Sequence, residues 1–246
     1  MLKTLFTISA IFLSTVGFGQ QFKTDVKPFT RLVVSPRINV IIEKGTVESV
    51  RVVYENITED KINVNVSGKT LRIYLDEARK KEKSIQTGGM YEGATITAYV
   101  TYRELEGIEI RGNQELVCVG PIQADVFRLR AYGQNDIHLS SLKSDFFQVK
   151  LYGQNDLQIG QGRTLEQKYV LYGENKIDSK GLRSDYITTS IFGEGSLRVN
   201  SAEEVRINAV GEPNIFVDGG AHVSKRFVIG KANIYENVNR QSSIGN

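Results

Sequence analysis

The sequence is poor in the residues that most chemistry requires. It has one cysteine, Cys118, so no intramolecular disulfide can form. It has two histidines, His138 and His222, and their surroundings do not repeat one another, so a histidine metal site or a catalytic triad has little support. Tryptophan is absent, and the net charge is only +3 with the signs mixed. That balance argues against a dedicated nucleic-acid surface. The Gly-Gly-x-Gly-x-Asp repeat that loads calcium into some β-helices is missing. After residue 20 there is no long apolar run, and the C-terminal residues are polar, so no membrane anchor is expected there. No cysteine follows the apolar N-terminal segment, so the usual bacterial lipid-attachment site is not seen.

What is present is repetition. Ala131-Tyr132-Gly133-Gln134-Asn135-Asp136-Ile137 returns as Leu151-Tyr152-Gly153-Gln154-Asn155-Asp156-Leu157. It returns again as Leu171-Tyr172-Gly173-Glu174-Asn175-Lys176-Ile177, and as Ile191-Phe192-Gly193-Glu194-Gly195-Ser196-Leu197. Weaker copies surround Gly112, Gly211 and Gly230. A constant period of about twenty residues is the signature of a solenoid. The second and fourth residues before the glycine are mostly apolar (Leu129 and Ala131, Val149 and Leu151, Tyr169 and Leu171), and the residue between them is often polar. The fourth residue after the glycine is always aliphatic: Leu116, Ile137, Leu157, Ile177, Leu197, Ile215 and Ile234. Such alternation marks half-buried strands, and short segments rich in β-branched and aromatic residues do not suit helices. The expectation is an all-β β-helix, with about twenty residues per coil over 111–236 and neighbouring coils about 4.8 Å apart.

Gly133, Gly153, Gly173 and Gly193, with Asn135, Asn155 and Asn175, are read as a structural turn ladder, because both residue types tolerate the positive φ of a sharp corner. By strand parity, Tyr132, Tyr152, Tyr172 and Phe192 point outward and form an aromatic stripe. That stripe is the candidate binding surface, for a glycan or a cell-surface protein. The plain alternative is a ring ladder that only stiffens the sheet. Asp136 and Asp156 stack in register, but Lys176 and Ser196 follow them, so no metal is expected. Glu174, Glu194 and Glu212 form another row. At one-coil spacing they approach the carboxylate separation of a retaining glycosidase, roughly 5 Å. They sit at turns, where solvated glutamates are ordinary, so no catalytic residue and no cofactor is assigned. Cys118 falls at an inward position and reads as a small buried apolar group.

Outside the repeats, residues 1–19 read as a secretory signal peptide: Lys3 supplies charge, 5–16 is the apolar stretch, and Gly17 and Gly19 stand before the cut. Residues 22–110 carry strands without a clean period and are expected to form an antiparallel β region that caps the stack. Gly45-Thr46 and Ser67-Gly68-Lys69 read as hairpin turns, and Glu59-Asp60-Lys61 as a single helical turn. A basic run from Arg79 to Lys83 opens a polar surface loop that ends at Gly93, and residues 237–246 form a polar tail.

The aromatic-Gly-x-Asn/Gly-x-aliphatic turn, the signal peptide and the opening Phe29-Thr30-Arg31-Leu32-Val33-Val34 resemble the "putative auto-transporter adhesin, head GIN domain" family, a domain of unknown function common in Bacteroidetes. The resemblance spans about 28–236. Members usually show Gly-Ser-Gly-like turns, whereas three copies here read Gly-x-Asn. The resemblance implies an exported, non-enzymatic binding protein at the cell envelope: periplasmic, on the surface or extracellular. A polysaccharide-degrading β-helix enzyme and a structural part of an envelope assembly are the alternatives.

Overall fold

The computed structural model describes residues 19–76, 91 and 93–237. The signal-peptide reading, the basic run at Arg79–Lys83 and all but the first residue of the polar tail lie outside these residues. The described chain is built of strands with a single 3-10 turn, Glu59–Lys61, and no α-helix. In chain order the strands are β1 (Gln20–Asp25), β2 (Arg31–Val34), β3 (Asn39–Lys44), β4 (Ser49–Glu55), β5 (Ile62–Ser67) and β6 (Thr70–Leu75). They continue as β7 (Thr95–Tyr102), β8 (Gly107–Gln123), β9 (Val126–Gly211), β10 (Asn214–Asp218), β11 (His222–Gly230) and β12 (Asn233–Asn237).

β9 has 86 residues. Drawn straight it would run about 280 Å at strand rise, so it must wind. Its neighbours show how. β8 runs parallel to the start of β9, with Ile110 beside Ala131, Gly112 beside Gly133 and Leu116 beside Ile137. At the other end, Leu197, Ile215 and Ile234 align in one file through β9, β10 and β12. The chain therefore advances one strand spacing for each near-twenty residues, and like residues meet like. The aliphatic file Leu116, Ile137, Leu157, Ile177, Leu197 and Ile215 is buried throughout, as are the inward pairs Leu129 and Ala131, Val149 and Leu151, and Tyr169 and Leu171. Burying one such side chain stabilises the fold by roughly 1.5–3 kcal/mol. Leu142 and Leu182, on the third side of the coil, are fully buried too.

The N-terminal β region is antiparallel only at its outer strands. β1 pairs with β4, β4 with β7 and β5 with β6 in antiparallel fashion. Where the region meets the coils it is parallel: β2 lies between β6 and β8, and β3 lies between β7 and β8. Arg31–Lys44 thus forms one more rung of the stack, with Val34 beside Ile110, Val40 beside Leu116, and a Pro36-Arg37 turn over Gly112. Arg37 holds φ 69 there. Beyond that rung the sheet continues through antiparallel pairs, with β5 outside β6 on one side and β4 and β1 outside β7 on the other.

Ser67-Gly68-Lys69 is the hairpin between β5 and β6, and Gly68 takes φ 58. Gly45-Thr46 is not a hairpin turn. β7 lies between β3 and β4, so the chain crosses over that strand's end, and the Gly45 N–H donates to the carbonyl of Tyr102. A Cβ at Gly45 would lie 2.4 Å from Cγ2 of Thr101, which explains the glycine without a hairpin.

Candidate binding face

The corner ahead of each aliphatic position is where the repeat is most constrained. Gly112, Gly133, Gly153, Gly173, Gly193, Gly211 and Gly230 all have positive φ. At each step the chain passes so close to its neighbour that no side chain fits. A Cβ on Gly153 would stand 2.3 Å from the carbonyl oxygen of Gly133, and one on Gly173 would stand 2.4 Å from that of Gly153.

Two residues on, the asparagines turn inward and are buried. The Asn135 amide donates to Oδ1 of Asn155 at 2.8 Å, and the Asn155 amide donates to Oδ1 of Asn175 at 2.9 Å. Asn135 and Asn175 also donate to the carbonyls of Tyr132 and Tyr172. This buried amide ladder ties three coils together along the floor of an open groove. At its N-terminal end Oδ1 of Asn135 lacks a donor, and the buried amide of Gln114, one coil earlier in register, is unpartnered as well. A rotamer change at Gln114 would join them.

Outside the corner the aromatic residues stand in a column. Tyr132 and Tyr152 stack with centroids 5.0 Å apart, Tyr152 and Tyr172 at 5.1 Å, and Tyr172 and Phe192 at 4.7 Å. The planes deviate by 4° to 7°. The Arg111 guanidinium lies 5.5 Å from the Tyr132 ring centre, a cation–π contact at the head of the column. Tyr172 and Phe192 are each 40 % exposed. Because every ring faces the next, the column offers solvent its ring edges and tyrosine hydroxyls, not open ring faces. Parity puts Arg130 and Lys150 on the same outer face, two residues before their tyrosines.

The carboxylate row is different. Glu174, Glu194 and Glu212 are exposed along an open groove, and Glu174 accepts a hydrogen bond from Gln154 at 3.4 Å. Asp156 is paired with Lys176 at 3.2 Å, so an ammonium already sits in the aspartate file. His138 and His222 are both exposed.

Two buried groups carry chemistry that periodicity does not reveal. The Tyr169 hydroxyl meets Oε1 of Gln167 at 2.8 Å and Oγ of Ser179 at 2.9 Å, while the Gln167 amide donates to Thr164 and to the carbonyl of Leu182. Burial pushes the Tyr169 phenol well above its ordinary range. Cys118 is fully buried, donates to the Gly120 carbonyl at 3.3 Å and lies 3.9 Å from the Tyr102 hydroxyl. Burial raises its pKa, so it is a poor nucleophile.

Strands wound into stacked parallel coils, with an amide ladder inside one corner and an aromatic column outside it, define an all-β repeat protein. Residues 28–221 match the family described as "Putative auto-transporter adhesin, head GIN domain", and the chain belongs to that family. Solved structures share the fold. A "putative adhesin" from Parabacteroides merdae is 17% identical, with a TM-score of 0.65 over 90% of this chain and 97% of that one. A "putative adhesin" from Bacteroides fragilis is 17% identical, with a TM-score of 0.67 over 89% and 96%. A "Putative lipid binding protein" from Parabacteroides distasonis is 14% identical, with a TM-score of 0.66 over 90% and 98%. At these identities the likeness is one of fold. No curated protein matches the chain. No helix among the described residues is long and apolar enough to cross a membrane.

Proposed function

We propose that this chain is an exported, non-enzymatic binding protein of the cell envelope, and that it holds a glycan along the edge of its aromatic column. The observation that carries the reading is the column itself: Tyr132, Tyr152, Tyr172 and Phe192 in register on an exposed sheet face. Three phenol hydroxyls at one-coil spacing make a repeating row of donors and acceptors, which suits a polymer with a repeating polar edge. Arg130 and Lys150 beside the row favour a chain that carries some negative charge. Family membership supports a binding role in general, and the adhesin descriptions of the similar structures agree with it. The glycoside-hydrolase reading of Glu174 and Glu194 is weaker, because both stand exposed on an open groove with no enclosing walls among the described residues to hold and distort a sugar ring.

The test is a glycan array and pull-down with the purified protein and two variants. Tyr132→Phe/Tyr152→Phe/Tyr172→Phe keeps the stack and removes the hydroxyls; Tyr152→Ala/Tyr172→Ala removes the middle of the column. Retention should fall about tenfold or more in both, given about 1 kcal/mol per lost hydrogen bond. Retention equal to wild type in the triple phenylalanine variant rejects the edge-binding reading.

A further inference from the structure

A second feature on the same outer face lies toward the N-terminal end and shares only Arg130 with the flank of the aromatic column. Strand registry places side chains there in rows. In one row Thr70, Arg31, Gly107 and Arg128 lie side by side on β6, β2, β8 and β9. In the next row stand Arg72, Val33, Glu109 and Arg130. Gly107 is the gap in the first row: it is buried, has no side chain, and sits between two exposed arginines. The result is a cleft of about 430 Å³ with Gly107 as its floor and Arg31, Arg72, Arg128 and Arg130 around it.

The charges there are unbalanced. Glu109 is taken by Arg111 and, at 3.8 Å, by Arg130. Glu106 also lines the cleft and accepts the hydroxyl of Thr30 at 3.0 Å, so its negative charge stays, and four arginines face two glutamates there. Among the described residues Arg31, Arg72 and Arg128 have no carboxylate partner. Three unpaired guanidiniums facing one notch repel each other, and a bound anion would relieve that repulsion.

We propose that this cleft binds a tetrahedral oxyanion, the phosphate of a phosphomonoester. Arg31 and Arg128 are separated by two strand spacings, about 10 Å. That span lets two guanidinium forks reach one anion seated over Gly107 from opposite sides. Arg72 approaches from the adjacent row. The three terminal oxygens of a phosphomonoester make three edges that share oxygens, so more than one fork can pair with the group, whereas a planar carboxylate has one such edge. The bare floor matters as much as the charges. A Cβ at Gly107 would lie 3.2 Å from the Arg128 carbonyl oxygen and 3.9 Å from Cγ of Arg31, so any larger residue would occupy the seat. The phosphate could belong to a soluble ligand or to a lipid headgroup, and the chemistry at the arginines is the same.

Two measurements on the purified protein test the site and separate these sources. Inorganic phosphate is titrated calorimetrically, and co-sedimentation is followed with phosphatidylcholine vesicles with and without phosphatidic acid. Wild type should bind phosphate saturably and in preference to acetate. Arg31→Gln/Arg128→Gln should weaken it about tenfold or more, as expected for two lost charge-assisted contacts. Both arginines are exposed, so the variant should unfold at the wild-type temperature. Tyr152→Ala/Tyr172→Ala should leave phosphate binding unchanged, which keeps this site separate from the aromatic column. Retention on phosphatidic acid vesicles, displaced by free phosphate, assigns a headgroup; phosphate binding without vesicle retention assigns a soluble ligand. The proposal is overturned if neither probe binds, if acetate competes as well as phosphate, or if the double glutamine variant binds like wild type.

Discussion

At the level of single residues, the tightest constraint is the corner glycine. Gly153 combines φ 109 with a neighbour's carbonyl 2.3 Å from where a Cβ would go. An L side chain there meets both backbone strain, about 1–3 kcal/mol, and a clash that only movement of the next coil can relieve. Gly153→Ala should therefore lower unfolding free energy by at least 3 kcal/mol, read by urea titration, while Gly68→Ala, with φ 58 and open space around it, should cost about 1 kcal/mol. The buried acids make a second prediction. Cys118, Tyr102 and Tyr169 all have pKa values raised by burial, from ordinary values of 9.0, 10.0 and 10.0. Folding favours their neutral forms, so the unfolded chain releases these protons first. Stability is then full below about pH 9 and declines as pH climbs beyond it. The urea midpoint should hold between pH 7 and 8 and fall by pH 10.5, with native Cys118 inert to thiol reagents until the protein unfolds. These positions differ in how well they can be read from sequence. The corner glycines and outward tyrosines follow from periodicity and parity alone. The Tyr169 network does not, because Gln167 and Ser179 come from different sides of the coil. The arginine cleft does not either: Arg31, Arg72 and Arg128 belong to three separate stretches that only the strand registry brings together.

Among the elements, the coils repay sequence reading and the N-terminal region resists it. Each coil carries its own copy of the pattern, so an error in one would show against the others. β2 and β3 have no such copies. Their parallel partner, β8, comes some 76 residues later, and nothing local says that the chain will return to pair there. Of the antiparallel strands beyond them only β5 and β6 form a hairpin, which local sequence can show; β1, β4 and β7 pair across long stretches of chain. β1 has one apolar residue in Gln20–Asp25, Phe22, and offers too little alternation to be read as a strand. Gly45 was misleading for a related reason: a glycine that makes way for a crossing strand looks the same in sequence as one that makes a turn. The stack also predicts graded sensitivity along its length. Leu157 is fully buried between coils, whereas Ile234 lies in the last described coil and is only half-buried. Leu157→Ala should cost about 2–5 kcal/mol, and Ile234→Ala clearly less, measured as the shift in urea midpoint at constant slope.

For the molecule as a whole, stability comes from contacts between neighbouring coils, and the proposed binding rests on what the outer faces display. The first gives a scaffold of strands in which Cys118 is free and no α-helix occurs among the described residues. The second places an aromatic column and a basic cleft on the same outer face, where both proposals put their ligands. Both depend on the coils being in register, one step per repeat. The most direct measurement of that is oxidative cross-linking in a Cys118→Ala background. His138 and Gln158 are exposed, occupy the same place in adjacent repeats, and should have Cα atoms about 4.8 Å apart, within disulfide range. Asp178 is two coils from His138 and should lie near 10 Å, beyond that range. The account predicts that His138→Cys/Gln158→Cys forms an intramolecular disulfide under mild oxidation with the fold retained, and that His138→Cys/Asp178→Cys does not. Failure of the first pair to close, or closure of both at similar rates, would contradict it.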